Sequence, residues 1–349
     1  MLNFRDRVDT GHRQGDRGPF KHMPLKPADR GSGMPSSAVW TFSDPDEYAA
    51  RIRAATVDLT LTARGEFNAK LARIDLHRLW VQRFSENLPR ILDAHNVTNG
   101  RTYISFSTKS GPSLLHNGIE MHTALVIRHN PGGEYYQRSS GSLSFGTMSL
   151  PVEDMTSIAE AMAGLDLAPP HDTIMVTPSP AAMARLQRLH AAAGWLAEEA
   201  PEIIAHPEAA RGLEQTLIEA WFGCLGEGTA GEDRSAQRSH SLVMRRFRRA
   251  VEEDPDQALY ISELCAAIGV SDRTLRVCCQ EQLGMSPKHY LLLRRMSLAR
   301  RALLEGAPGR TSVTGVAADY GFWQFGRFAG AYKSLFGETP STTLHRPRA

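Results

Sequence analysis

Between Trp40 and Pro151, apolar and polar residues alternate in short runs. "RTYISFSTKSG", beginning at Arg101, sets Ile104, Phe106 and Thr108 against Tyr103, Ser105 and Ser107. "GSLSFGTMSLP", beginning at Gly141, sets Leu143 and Phe145 against Ser142 and Ser144. "MHTALVIRHNPGGEYYQ" is a β-rich run broken by a Pro-Gly-Gly turn. A period of two with turn residues between the runs predicts short strands. Several such strands at this spacing predict a β-sandwich or barrel with room inside for a small ligand. After Pro151 the period lengthens. A helix opened by Pro180 puts Met183, Leu186, Leu189, Ala193 and Leu196 on one stripe, and a second, from about Pro207 to Leu225, aligns Leu213, Leu217, Ala220, Trp221 and Cys224. Such a pair is expected to pack on the β region or against a second copy. "GEGTAGEDRSAQRS", Gly226 to Ser239, reads as a linker by composition. Residues 1–37, rich in Arg, Asp, Gly and Pro without apolar period, are expected to be disordered.

The last hundred residues repeat themselves. Ile261, Leu264, Ala266, Ile268 and Gly269 recur as Val313, Val316, Ala318, Tyr320 and Gly321, each 52 positions on; Leu275, Cys279, Gly284 and Pro287 recur as Phe328, Tyr332, Gly337 and Pro340, each 53 on. Each copy predicts a short helix with apolar residues at i, i+3, i+5 and i+7, a glycine suited to a left-handed turn, and a second helix, begun in the first copy by Ser271. This is the layout of a helix-turn-helix, whose second helix enters a DNA major groove. Between the copies, "PKHYLLLRRMSLARRALL" from Pro287 to Leu304 predicts a helix with apolar Tyr290, Leu293, Met296, Leu298 and Leu303 facing both neighbours. It would hold two readers about one turn of duplex apart. The second copy is dense in aromatics: Tyr320, Phe322, Trp323, Phe325, Phe328, Tyr332 and Phe336 are seven of the chain's 26. Tyr320, Phe322, Phe328, Tyr332 and Phe336 are expected in its core. Trp323 and Phe325, at the turn and helix start, are candidates for contact with sugar–phosphate or a thymine methyl.

With 349 residues, 42% hydrophobic and 22% charged, the chain has room for two domains. It holds no apolar run of membrane-spanning length and no apolar leader segment near Met1, so neither insertion nor secretion is expected. Cys224, Cys265, Cys278 and Cys279 form no CxxC pair and are expected to be reduced and buried in a cytoplasmic protein. From Ser241 onward there are 16 basic against 10 acidic residues, a balance of +6, while the first 240 residues balance at −4. A basic end on a mildly acidic body suits a polyanion.

On "ISELCAAIGVSDRTL", "GMSPKHYLLLRRMSLARRAL" and "VAADYGFWQFGRFAGAYKSLFGETP", with each unit closed by an (L/F)G-x-x-P turn, residues of about 243 to 346 resemble the DNA-binding domain of the AraC/XylS family. The resemblance implies an α+β protein: an N-terminal β-rich, cupin-like sensor domain with two helices (38–225), a linker (226–240), and an all-α C-terminal domain (241–346) of two helix-turn-helix units joined by a linker helix. The cupin-like likeness rests on organisation alone. It implies a sequence-specific transcription regulator, expected to be an activator. The partners it implies are double-stranded DNA, a small-molecule effector, RNA polymerase and a second copy of the chain, with no cofactor and no metal. In the first recognition helix the family's exposed positions fall on Ser271, Asp272, Arg273, Arg276, Val277 and Gln280. In the second they fall on Gln324, Phe325, Gly326, Ala329, Gly330 and Lys333, with Arg327 beside them. Arg273 and Arg276 have the planar fork that binds a guanine edge. Gly326, Ala329 and Gly330 carry no donor, so the first unit is expected to read bases and the second to grip phosphate through Lys333 and Arg327. Val277, where a polar residue is usual, and Cys279, where Phe is usual, depart from the pattern.

No enzyme site competes with this reading. His116, His122 and His129 are the best metal candidates, but they lack an HxH or a compact cluster. Ser139, Ser140 and Ser142 lack a GxSxG setting, and no phosphate-binding glycine loop occurs. No cysteine precedes Cys224, against the metal and methyl-acceptor cysteines of DNA-repair variants of the family. The alternative is a ligand-binding or protein-interaction scaffold whose basic end contacts a protein.

Overall fold

The alternating runs become strands of two antiparallel sheets packed face to face. The computed structural model describes residues 34–161, 169–226, 229–230, 235–253 and 260–346. The expectation of disorder for residues 1–37 lies mostly outside them, and β1 already begins at Ser36. In chain order the elements are β1 (Ser36–Phe42), α1 (Pro45–Arg51), β2 (Thr56–Leu61), β3 (Ala69–Asp75), β4 (Trp80–Glu86), β5 (Arg90–His95), β6 (Arg101–Ser107), β7 (Leu114–His116), β8 (Ile119–Met121), β9 (Val126–His129), β10 (Tyr135–Ser139) and β11 (Leu143–Pro151). There follow α2 (Val152–Ala161), β12 (Ile174–Thr177), α3 (Pro180–Glu199), α4 (Pro201–Ala205), α5 (Pro207–Gly226) and β13 (Thr229–Ala230). The helical end comprises α6 (Ser235–Glu253), α7 (Ile261–Ile268), α8 (Asp272–Leu283), α9 (Pro287–Glu305), α10 (Val313–Asp319), α11 (Phe325–Phe336) and α12 (Pro340–Leu344).

The larger sheet runs β1-β3-β4-β11-β6-β9-β12-β13 and the smaller β2-β5-β10-β7-β8. The Pro-Gly-Gly turn does not close a hairpin. It carries the chain from β9, paired with β6 and β12, across to β10, paired with β5 and β7.

Alternation along each strand sorts residues into layers, because successive side chains leave a strand on opposite faces. Between the sheets, Leu59, Leu61 and Leu92 of the smaller sheet meet Leu71, Phe84 and Phe145 of the larger. On the outer face of the larger sheet, Ile74, Val81, Ile104, Phe106 and Met148 are covered by Met183 and Leu186 of α3 and Leu217 and Trp221 of α5. The two predicted helices therefore pack onto the β region. On the outer face of the smaller sheet, Ile91 and Tyr136 join Val243, Met244 and Phe247 of α6, Leu275 and Leu283 of α8, and Tyr290 of α9. The order of layers is helix, sheet, sheet, helix.

Two buried polar residues of the helix pair escaped the apolar pattern. His190 of α3 lies against Gly146, where any side chain would collide with its ring, and its Nε2 approaches the Gln82 carbonyl at 3.2 Å. Burial, aided by the Arg83 guanidinium 3.1 Å from Nδ1, pushes its pKa down to about 3. Glu214 of α5 accepts from the amides of Arg78 and Leu79 at 2.6 and 2.8 Å, tying α5 to the turn before β4.

Candidate nucleic-acid interface

The repeat is built as two units with the same local code. In the first, Leu264, Cys265 and Ile268 bury one face of α7. Gly269 turns the chain at φ 71°, and the Ser271 hydroxyl caps α8 by accepting from the Thr274 amide at 3.1 Å. In the second, Val316 and Ala317 bury the face of α10, Gly321 turns at φ 74°, and α11 begins at Phe325. Gly284 and Gly337 end α8 and α11 at φ 69° and 77°, and Ser286-Pro287 and Thr339-Pro340 open α9 and α12. One detail of the apolar spacing is corrected: Ala266 and Ala318, at i+5, are exposed, whereas Cys265 and Ala317, at i+4, are buried. A period of 3.6 places i+4 on the stripe.

The change of offset from 52 to 53 has a physical identity. Phe322 follows its glycine as Val270 does, and Gln324 stands at the helix cap as Ser271 does, so the additional residue is Trp323. It bulges from the lengthened turn and is 79% exposed. Tyr320, Phe328 and Tyr332 are buried as expected, with Phe322 and Phe336 half-buried against the same cluster. Phe328 bridges the rings of Phe322 and Tyr332 at 4.8 and 5.6 Å. Cys279, smaller than the usual aromatic, leaves no exposure: it is fully buried with its sulfur 3.9 Å from that of Met244. All four cysteines are buried, and none forms a disulfide.

Ser271, Asp272, Arg273, Arg276, Val277 and Gln280 are exposed together on α8, while Leu275, Cys278, Cys279, Gln282 and Leu283 face inward. In the second unit Phe325, Gly326, Arg327, Gly330 and Lys333 are exposed, and Gln324 and Ala329 are half-buried. Arg276 is not a bare cation. Its Nε and Nη2 bind both Asp272 oxygens at 3.0 and 2.9 Å, which raises its pKa through that hydrogen bond and charge. Asp272 thus aims the guanidinium outward one turn along α8 and complements the helix N-terminus. Arg273, Arg327 and Lys333 make no ion pair among the described residues. The first surface offers two forks and one carboxylate. The second offers a guanidinium, an ammonium, two glycines and two exposed aromatic rings.

Sequence reasoning missed how this helical end is held. Arg300 of α9 is buried and pairs with Asp44 and, at 2.6 Å, with Asp46. Arg301 binds Asp46 at 2.7 Å and also Asp58, and Arg346 reaches Asp44 at 2.6 Å. Arg248 of α6 pairs with Asp93 at 2.5 Å. Burial works against charge on Asp44 and Asp58, yet their arginine partners, with His95 for Asp58, hold both carboxyls below the ordinary range. Between the sheets lies a second candidate site, a narrow cavity lined by Trp80, Gln82, Phe84, Tyr103, Tyr135 and Gln137. Trp80, at its edge, is sandwiched by the guanidinium groups of Arg53 and Arg101 at 3.5 and 3.6 Å from its ring. Beside the cavity His116 and His129 approach at 4.9 Å between ring centroids, and burial pushes His116 down to about 3. His122 is exposed and stands apart, and no group of three metal-ligating side chains occurs among the described residues. No helix among them is long and apolar enough to cross a membrane.

The profile of a family described as "Helix-turn-helix domain" matches residues 264–346. The "Probable thc operon regulatory protein" of Rhodococcus erythropolis is 40% identical over 94 residues, 27% of this chain and 28% of that protein. "XylDLEGF operon transcriptional activator 3" of Pseudomonas putida is 36% identical over 96 residues, 28% of this chain and 29% of that protein. The matched segment therefore spans just over a quarter of those relatives. Among solved structures, the AraC-like transcriptional activator CuxR superposes over 80% of this chain and 99% of its own, with a TM-score of 0.41 and 14% identity.

Proposed function

From the AraC/XylS-type helix-turn-helix domain that its C-terminal end carries, we infer that this chain is a sequence-specific DNA-binding transcription regulator whose two-sheet domain receives a small-molecule effector. The observation that carries the reading is the pairing of two recognition helices, α8 and α11, each ended by a left-handed glycine, whose family-matched positions are largely exposed while their opposite faces fill the core. Arg273 and Arg276 supply base readout from the first unit; Arg327 and Lys333 supply phosphate contact from the second, where Gly326 and Gly330 allow close approach of the backbone. Trp323 and Phe325 add apolar contact at the edge of the groove. The interior cavity supports the effector reading. The relative named as an operon activator supports activation, which would bring RNA polymerase into contact with the bound regulator.

Footprinting on DNA from upstream of the chain's own and neighbouring genes, at two salt concentrations, tests this. Two protected major-groove patches about one helical turn apart, weakening as salt rises, are expected. Uniform protection without sequence preference, or none, would favour a scaffold whose basic end binds protein.

A further inference from the structure

Among the family-matched exposed residues of α8, Asp272 alone has the wrong charge for holding a polyanion. It opens the helix on the face shared by Arg273, Arg276 and Gln280, with its side chain 50% exposed. A negative charge there repels phosphate and weakens binding to any duplex. The second unit lacks it: at the offset of 53 that relates the two recognition helices, Asp272 and Arg276 become Phe325 and Ala329, and α11 holds no acidic residue. A carboxylate confined to one of two readers works against affinity, so what it can add is sequence preference.

The contacts say which preference. Asp272 holds Arg276 through Nε at 3.0 Å and Nη2 at 2.9 Å, one oxygen to each nitrogen. The side edge of the guanidinium is thereby closed. What remains for DNA is the end-on fork of Nη1 and the second Nη2 hydrogen, whose parallel donors match O6 and N7 of guanine. Each Asp272 oxygen also keeps a lone pair. In the major groove those lone pairs accept from the amino group of cytosine or adenine and are repelled by O4 of thymine and O6 of guanine. Carboxylate and guanidinium are locked within 3.0 Å of each other, close to the rise of about 3.4 Å between base pairs, so they address adjacent pairs. Arg273 and Val277 beside them carry no side-chain acceptor, which leaves the amino group to Asp272.

We propose that Asp272 and Arg276 form one composite reader of a two-base step: guanine under Arg276 and, beside it, cytosine or adenine presenting its amino group to Asp272. This rests on the regulator reading above. It gives Asp272 the exclusion of thymine and guanine at the second position, a role separate from complementing the start of the helix.

Full-length wild type, Asp272→Asn, Asp272→Ala and Arg276→Ala are each selected on a randomised duplex library, and the enriched duplex is titrated by anisotropy with every base at each position. The position whose guanine preference vanishes in Arg276→Ala marks the step. In the wild type the adjoining position is expected to favour cytosine or adenine by roughly fivefold or more, the low end of a good base contact. Asp272→Asn keeps the shape but gains N–H donors, so thymine and guanine become acceptable and that ratio should fall below about twofold. Asp272→Ala should lose the ratio too, relax the guanine preference because the fork is no longer held, and bind random duplex more tightly because a repelling charge is gone. Combined with Arg276→Ala, the losses from Asp272→Asn should not add, as for two parts of one contact. Two results would overturn the proposal. One is an adjoining position without preference in the wild type. The other is a preference that survives Asp272→Asn while affinity drops evenly across sequences, the mark of a residue that only stabilises the first turn of α8. In either case the selected sequence leaves the regulator reading intact. Enrichment of no sequence by the wild type would bring down that reading, and the composite reader with it.

Discussion

Arg276 shows what a single residue's surroundings decide. Its fork is held by Asp272 on the same helix, so it presents a preset edge, whereas Arg273 is free to search. Both are expected to discriminate bases: Arg273→Ala and Arg276→Ala should each compress the preference for the best base at one position by about ten- to a hundredfold. Lys333→Ala should instead weaken binding evenly across sequences and lower the salt slope by about 1. Anisotropy titrations of the footprinted duplex and its single-base variants, over a range of salt, separate the two behaviours. If Lys333→Ala altered base preference as strongly as the arginine changes, the division of labour between the units would be wrong. His95 makes a prediction in pH. Burial disfavours its charge, but the hydrogen bond and charge of Asp58, with the charges of Glu252 and Asp93, raise its pKa. Its contribution is therefore complete below about pH 6.5 and is lost as pH rises through the raised value. Arg301 also faces Asp58, and Arg248 faces Glu252, so these carboxylates remain paired on the alkaline side. Urea midpoints measured from pH 5.5 to 9 should fall in the wild type and stay flatter in His95→Gln.

At the scale of elements, the glycines that end α8 and α11 are a matched pair with unequal surroundings. Gly337 sits at φ 77° with open space around it, and Gly284 at φ 69° faces Arg138. Gly337→Ala should cost about 1–2 kcal/mol from backbone strain alone. Gly284→Ala should cost more, since Arg138 must also move; equal losses in chemical denaturation would mean that this packing is not energetically significant. The helix-turn-helix pair was legible in the sequence because glycine, proline, cap and apolar period are local signals, repeated at nearly constant offset. The solvent-facing positions of α8 came instead from the family resemblance, whose exposed positions fall on residues that are exposed here. Helix α6 was not legible: it starts at Ser235 within a polar run assigned to the linker, although Val243, Met244, Phe247 and Val251 lie on one side of it. The ion pairs on α9 left no local signature either. "RRMSLARRALL" reads as an amphipathic helix with solvated arginines, and nothing nearby in sequence announces that Arg300 is buried.

For the whole molecule, the arginine–carboxylate contacts make the β domain and the helical end one packed unit. Arg300→Ala removes a buried cation from Asp44 and Asp46 and should cost about 3–5 kcal/mol, as measured by denaturant unfolding; a loss near 0.5 kcal/mol would indicate that Arg346 and Arg301 take over its role. The same pairs add an acid limit. Asp58, held below the usual carboxylate range, stabilises the fold above about pH 4, and that contribution fades as pH falls toward its lowered value. These contacts also have a consequence in time. Arg300 and Arg301 lie 243 to 256 positions after the aspartates they bind. At about 5–20 residues per second on the ribosome, the carboxylates of α1 and β2 wait roughly 12–50 s for their partners to be made. A nascent β domain therefore emerges with an unneutralised acidic face, and the helices proposed to read DNA, made about 250 residues later, complete the surface on which they rest.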